Sequence, residues 1–474
     1  MVVVVEHIGA TGGRGFYGND SMTDPARKPT LAVVGGGLAG MAAAVAAAER
    51  GCRVELFEGR KTLGGRAGSF RDPQTGQWVD LCQHVAMGCC GEFADFCRRT
   101  GVADCFRTFR TLYFFGPDGV KRVFRPSRRL PAPWHLAPAL LRLRYLTLGE
   151  RWGVARAIRR LARERIDDAE PGETIGAWLR RHGQTERTIE RFWSVVLVSA
   201  LSETVDRASL AAAQKVFADG FMASRTAYEL VVPRLPLVEI FDVRAGKSLE
   251  EQGVSVYRGA RVKQIVADGT RSVSATIVFA DGTRQEFDFV VVAVPWYRVR
   301  LLLPESALAV MPDLDGVEQI EPAAITALHL WFDRPIIRLP HAVLVGRPGQ
   351  WVFHHGESEA GHRFQVVISA SGGLIGRERE AVLAEVLDDL KSIRPAVRDA
   401  ELVHWRMVTQ PRAVFSVTPG LERLRPTQQT PVPNLLLAGD WTSTGWPATM
   451  EGAVRSGYAA ASAVCSALHR AIRL

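Results

Sequence analysis

The chain has 474 residues, 47% of them hydrophobic, and a formal net charge of +9, which describes an ordinary globular protein too long for one compact core. No run of roughly 18 apolar residues occurs, which argues against a spanning helix, and the apolar start lacks the basic lead of a secretory signal. Seven cysteines, without a C-x-x-C pair, argue against a disulfide framework or a zinc site, so reduced thiols and no metal are expected.

Residues 1–29 read as a flexible leader. From Leu31 to Val34 the chain is an apolar run of the kind found in a strand buried on both faces. An Ala-rich helix is expected from Met41 to Arg50 with Gly51 as its stop, then a second strand over Arg53–Glu58. Between strand and helix, Gly35-Gly36-Gly37-Leu38-Ala39-Gly40 fits G-x-G-x-x-G. Its glycines permit a tight turn, close approach of backbone to a pyrophosphate, and close helix–strand packing. Glu58 ends the next strand, where a ribose hydroxyl needs a carboxylate. A dinucleotide site is therefore expected. Leu63-Gly64-Gly65-Arg66 follows directly, with a guanidinium able to fork onto phosphate.

Residues 120–235 are mostly helical in pattern, broken at Pro126, Pro131, Pro133 and Pro138. Between Lys121 and Arg165 stand thirteen Lys/Arg and two acids, so most of the chain's basicity is local. Trp134, Leu140, Leu141, Leu143, Tyr145, Leu146, Leu148 and Trp152 interleave with these arginines. That amphipathic pattern suits an anionic bilayer surface. It carries no nucleic-acid motif, and no nucleic-acid partner is expected.

Short strands return over 250–295 with a turn at Asp281-Gly282, and Phe289–Val294 is a buried strand stopped by Pro295. Strands over Ile325–Phe332 and Ala342–Phe353, a helix near Arg377–Arg394, a strand over Asn434–Ala438 and a helix over Met450–Leu468 complete the chain. Gly439-Asp440 ends the last strand, where the carboxylate can take a ribityl hydroxyl. Met450 opens a helix whose N-terminus can stabilise charge on a reduced isoalloxazine. These features select FAD over a nicotinamide. With no obvious linker, two domains that exchange strands are expected.

The glycine loop, the Gly64-Gly65-Arg66 segment and the Gly439-Asp440 segment together resemble the flavin amine oxidase and phytoene desaturase superfamily. Within it the chain is most similar to the squalene-associated branch, the hydroxysqualene dehydroxylases of hopanoid biosynthesis. The stretches that carry this are Val79–His84, Val198–Leu201, Val232–Leu237, Leu330–Pro335, Pro340–Phe353 and Trp446–Gly457. The resemblance implies an α/β fold in which a Rossmann-type FAD-binding domain (30–115, 240–315 and 420–474) interleaves with a mixed-sheet and helical substrate domain (116–239 and 316–419), with 121–165 facing a membrane. It places FAD on Gly35, Gly37, Leu38, Ala39, Gly40, Glu58, Gly65, Arg66, Val262, Gly439, Asp440 and Met450. The branch has Gly where this chain has Cys82, which implies a changed backbone path there.

The resemblance implies reductive removal of a hydroxyl from hydroxysqualene, a C30 isoprenoid. Carbon losing hydroxide becomes electron-poor, so an apolar, water-free and aromatic-lined pocket is expected, with Trp331, Phe332, Trp351 and Phe353 as candidate walls. His84 is the candidate proton donor. A second dinucleotide fingerprint is missing, so electrons come from an unidentified transient donor. Amine oxidases of this fold place a lysine on the strand facing the flavin and a tyrosine before Met-Glu-Gly, whereas this chain aligns Thr326 and Thr449 there. A carotenoid-type desaturase with reversed electron flow and a non-catalytic flavoprotein subunit are the alternatives. A C30 hydrocarbon implies a cytoplasmic protein held peripherally on the inner face of the cytoplasmic membrane.

Overall fold

The computed structural model describes residues 27–166, 172–267 and 274–471; all but the end of the expected leader lies outside them. Five parallel strands form one sheet in the order Ser255–Arg258, Arg53–Glu58, Thr30–Val34, Phe289–Val292, Leu435–Leu437. Apolar runs occupy its centre because parallel strands are covered on both faces. The helix Leu38–Glu49 leaves the central strand, three residues earlier than its composition suggested. Its residues Leu38 to Ala47 are all buried. A helix apolar on every side needs cover on every side. The final helix, Met450–Ala471, supplies it at backbone contact: a Cβ on Gly457 would stand 2.2 Å from the Ala39 carbonyl oxygen.

The second sheet has seven strands, in the order Leu402–Phe415, Pro322–Phe332, Gly361–Ser369, Trp351–Ser358, His341–Leu344, Leu112–Phe115, Lys121–Phe124. All neighbours are antiparallel except His341–Leu344 with Leu112–Phe115. Leu112–Phe115 thus joins this sheet, although it falls in a stretch expected to serve the nucleotide domain. One face packs Leu328, Leu330 and Phe332 under the helix Arg379–Ile393 through Val382, Val386 and Leu390. The other face looks into the molecule.

Three expectations change. The strand expected over Ala342–Phe353 is two strands, split by a turn through Gly346, where φ is +69°. The helical reading of 120–235 is bounded by the strands Lys121–Phe124 and Leu230–Pro233. Leu402–Phe415, the longest strand described, was unexpected because Pro411 interrupts its pattern; it lies at a sheet edge, where a missing N–H is tolerated. That edge is tied to the hairpin Ser69–Arg71/Trp78–Asp80 by Asp72, which is fully buried and accepts from Arg406 Nε (2.8 Å) and Thr75 Oγ1 (2.9 Å) beside His404. Burial alone would raise the Asp72 pKa; the bonds from Thr75 and Arg406 hold it at about 2.

Candidate active site

The site begins where Thr30–Val34 turns into its helix. A Cβ on Gly40 would stand 1.9 Å from the Gly35 carbonyl oxygen, so this position admits no side chain. Gly37 differs. It sits at the helix N-cap with φ −76°, and a Cβ there would meet nothing within 4 Å. No side chain caps this helix and no acid stands in its first turn, so its leading N–H groups are available to an anion. Leu38 and Ala39 bury their side chains and offer backbone only. Glu58 accepts from Gly36 N and Arg60 N, both at 2.8 Å, one on each carboxylate oxygen. Each oxygen retains a lone pair for a ribose hydroxyl.

The second glycine pair lies against the first loop. Gly64 N donates to the Gly36 carbonyl at 2.8 Å, and Gly65, with φ +59°, brings its backbone within contact of Gly37. This aims Arg66 across the sheet end, where it pairs with the buried carboxylate of Asp440 and donates to the Ala413 carbonyl at 3.2 Å. Val262 opens the strand Val262–Val266 directly after Arg261, whose Cα a Cβ on Gly59 would meet at 3.8 Å at the end of the Glu58 strand. Gly439 takes φ +151° and donates its N–H to Ser456 Oγ at 2.8 Å. A groove of backbone N–H groups, a ribose acceptor and an Arg–Asp pair thus runs across the carboxyl ends of the parallel strands. It fits an adenine dinucleotide carrying a further polyol arm.

Two residues that hold this groove escaped sequence reasoning. Arg425 is buried, and its Nη2 reaches the carbonyls of Asp440 (2.9 Å), Thr442 (2.7 Å) and Trp446 (2.8 Å) and the hydroxyl of Thr444 (3.1 Å). Glu451 is fully buried and accepts from Phe93 N (2.8 Å), Glu92 N (3.3 Å) and Arg455 Nε (2.7 Å), fixing the start of the final helix.

Beyond Thr449, Met450 and Glu451 opens a cavity of about 330 Å³. Its wall is nearly all apolar. Phe192, Phe217 and Phe221 form one side, Trp351 and Phe353 another, and Leu136, Leu140, Leu143 and Ile158 the roof. That roof belongs to the basic segment. Trp331 and Phe332 do not line this cavity. They are consecutive on one strand and so face opposite sides. Phe332 packs under the helix Arg379–Ile393, and Trp331 lies tilted against His404, ring centroids 4.8 Å apart, with its Nε1 3.4 Å from Gln77 Oε1. Alternation separates the two neighbours at this part of the strand as well: Ile325 lines the cavity, while Thr326 turns away to Ser371 (2.9 Å) and Thr409 (3.0 Å). Neither is a lysine. Thr449 caps the final helix through Gly452 N at 3.1 Å, and Trp446 stands between Lys215 and Arg455.

Cys82 needs no glycine-like backbone: among the described residues only Ser202 and Ala370 combine a side chain with positive φ. Burial pushes its thiol up to about 12, so it lines the cavity as a neutral group. His84 does not line the cavity. Its Nδ1 is 3.1 Å from the Cys82 carbonyl, and burial, with the Arg66 charge adding to it, holds the imidazole below its usual range. It is neutral at pH 7 and so a weak proton donor.

The family model for flavin containing amine oxidoreductases matches residues 38–465. The chain is 28% identical to a hydroxysqualene dehydroxylase of Zymomonas mobilis over 92% of its own length and 98% of that protein. It is 25% identical to a chloroplastic/chromoplastic 15-cis-phytoene desaturase of Solanum lycopersicum, covering 93% of this chain and 78% of that one. An oxidoreductase from Methanosarcina mazei shares the fold at a TM-score of 0.70 and 18% identity, covering 90% of this chain and 98% of that structure.

Proposed function

The chain belongs to the flavin containing amine oxidoreductase family, and on that premise we propose that this FAD-dependent oxidoreductase removes the hydroxyl of hydroxysqualene reductively, giving squalene and water. The observation that carries this reading is the long apolar cavity, which runs from the first residues of the final helix to the underside of the basic segment. It has neither a lysine on the strand nor a tyrosine before Met450 with which to handle an amine. When bound in its fully reduced form, FADH2 would supply both hydrogens the reaction needs, a hydride to the carbon and a proton with which the hydroxide leaves as water. Gly35–Gly40 and Arg66 would hold its diphosphate, Glu58 its ribose, and Asp440 its ribityl chain. Trp351 and Phe353, stacked on each other at 5.5 Å in the cavity wall, keep water from an electron-poor carbon.

The test is an anaerobic incubation of photoreduced protein with hydroxysqualene. Squalene formation in step with flavin reoxidation is the expected result; an untouched substrate sinks the reading. The likeness to a phytoene desaturase favours a second reading, in which oxidised protein withdraws hydride from a polyene precursor. Phytoene desaturation by the oxidised protein, with hydroxysqualene unchanged, would establish it.

Substrate entry follows from the roof. Leu136, Leu140 and Ile158 face the cavity, while Trp134, Leu141, Leu148 and Trp152 are more than half exposed on the outside. Arg156, Arg159 and Arg160 are exposed on the same helix as Trp152, Leu148–Leu161. No described helix is long and apolar enough to cross a membrane. The reading is peripheral docking on an anionic leaflet, the segment's aromatics in the interface and its arginines on the headgroups. Each base contributes about 1 kcal/mol there. Reversing Arg156, Arg159 and Arg160 to Glu is therefore expected to weaken co-sedimentation with anionic vesicles at least about a hundredfold. Unchanged binding would refute the docking face.

A further inference from the structure

Most polar side chains of the cavity wall are occupied or sealed off. Ser199 Oγ donates to the Val195 carbonyl at 2.7 Å and accepts from Trp351 Nε1 at 2.9 Å. Thr449 Oγ1 donates to the Pro447 carbonyl and caps the final helix. Glu451 takes three donors, and Lys215 is paired with Asp219 at 2.6 Å. Gln83 Oε1 and Arg191 Nε have no partner, but both are closed off within the wall. Two serine hydroxyls differ. Ser202 and Ser369 line the cavity and are only 5% and 6% exposed. Neither Oγ has a hydrogen-bond partner among the described residues, and neither is sealed within the wall.

The fold aims both. On the strand Gly361–Ser369, Val367 and Ser369 line the cavity, while Ile368 between them packs on the opposite face with Val382 and Val386. One side chain takes both backbone groups of Ser369: its N–H donates to Gln350 Oε1 at 2.6 Å, and its carbonyl accepts from Gln350 Nε2 at 3.4 Å. That clamp fixes the strand end and leaves the hydroxyl over. Ser202 ends the helix Ser194–Leu201 at φ +53°, a left-handed position that favours glycine. Serine there keeps a hydroxyl that the turn does not use. Trp351 links the two walls. Its Nε1 donates to Ser199, three residues before Ser202, and its strand partner is Val367, two residues before Ser369. Such diagonal neighbours on one sheet face stand about 7–8 Å apart, within reach of an aromatic side chain.

An apolar wall with two unoccupied hydroxyls suits a ligand that is hydrocarbon except for one oxygen. Each serine hydroxyl both donates and accepts, so a substrate O–H can donate to one serine and accept from the other. We propose that Ser202 and Ser369 are the specificity-determining residues that hold the substrate hydroxyl beside Trp351, so that the cavity prefers an oxygenated chain to the corresponding hydrocarbon. This rests on the dehydroxylase reading above. A plain hydrocarbon brings neither a donor nor an acceptor, and it leaves both hydroxyls desolvated without a bond. Once the oxygen has left as water, the hydrocarbon product is therefore held less tightly than the substrate. The asymmetry follows the general rule that a site built to bond a hydroxyl rejects the analogue lacking it.

The experiment compares FAD-loaded wild type with Ser369→Ala, Ser202→Gly and the double variant, measuring flavin content, melting midpoint, and binding of hydroxysqualene and of squalene in detergent micelles. Wild type is expected to bind hydroxysqualene tighter than squalene by about tenfold or more, the size of two ordinary hydrogen bonds. Each single change should cut that ratio about threefold or more, and the double variant should bring it close to one with squalene bound as before. Ser369→Thr, which keeps the hydroxyl, should keep the preference. Ser202→Gly suits the left-handed turn, so its melting midpoint should not fall; it decides the matter alone if Ser369→Ala loses its flavin. A double variant, or Ser202→Gly alone in that case, with full flavin content and an undiminished preference overturns the proposal while leaving the dehydroxylase reading in place. So does a wild type that converts hydroxysqualene yet binds squalene equally well. A wild type that neither binds nor converts hydroxysqualene overturns both.

Discussion

A Gly37→Leu chain is expected to fold as the parent does and to be colourless. The backbone at Gly37 has φ −76°, which any residue adopts, and a Cβ there meets nothing within 4 Å. Folding should therefore tolerate the side chain. The groove should not, because the second glycine of the fingerprint is where backbone must come up against the diphosphate. We expect FAD affinity to fall at least about a hundredfold, a loss of several kcal/mol. Added FAD should raise the melting midpoint of the parent, since a ligand that binds only the folded state stabilises it, and leave that of the variant where it was. A yellow variant with parental flavin stoichiometry would remove the dinucleotide from this loop. Gly40→Ala makes the contrast: its Cβ has no room beside the Gly35 carbonyl, so that change should damage folding itself.

Loss of the Arg425 guanidinium should be nearly as severe by a different route. One side chain collects the carbonyls of Asp440, Thr442 and Trp446 and the Thr444 hydroxyl, with Glu422 on its other nitrogen. Arg425→Met keeps the bulk and removes every donor. Three main-chain acceptors then lose their partner, at a cost of about 3 kcal/mol or more in all, while Glu422, whose side chain is 35% exposed, turns to water. Because these residues form the loop between the last strand and the final helix, Asp440 should lose its fixed position and flavin should bind more weakly. Thermal melts with and without FAD, together with flavin titration, read both effects. Arg425→Lys should recover part of the stability. Unchanged melting and unchanged titration would mean that this loop holds its shape without the guanidinium.

Features encoded within a few residues were legible. The glycine loop, the strands on either side of it and Glu58 all lie within one βαβ unit, and each carries a local steric or hydrogen-bonding reason that can be read residue by residue. Features assembled from distant segments were not. Arg425 looks like any arginine before a proline, since its partners lie fifteen to twenty-one residues further on. Glu451 serves N–H groups some 360 residues away. Composition offers both Trp331 and Phe332 as cavity walls, although adjacent strand residues cannot share a face. Which of them faces inward depends on a register set by the neighbouring strands.

The contact between Gly457 and Ala39 has a consequence for how the protein is made. The ribosome releases the Ala-rich helix about 400 residues before the helix that encloses it. At translation rates of 5–20 residues per second, that interval lasts roughly 20–80 s. Throughout it the apolar helix lacks the cover of the final helix, and once Phe289–Val292 has been made its outer edge stays unpaired until Leu435–Leu437 emerges. A chain stopped upstream of Leu435 is therefore expected to leave the edge of Phe289–Val292 and one side of the Ala-rich helix uncovered, and to aggregate rather than fold as a smaller enzyme.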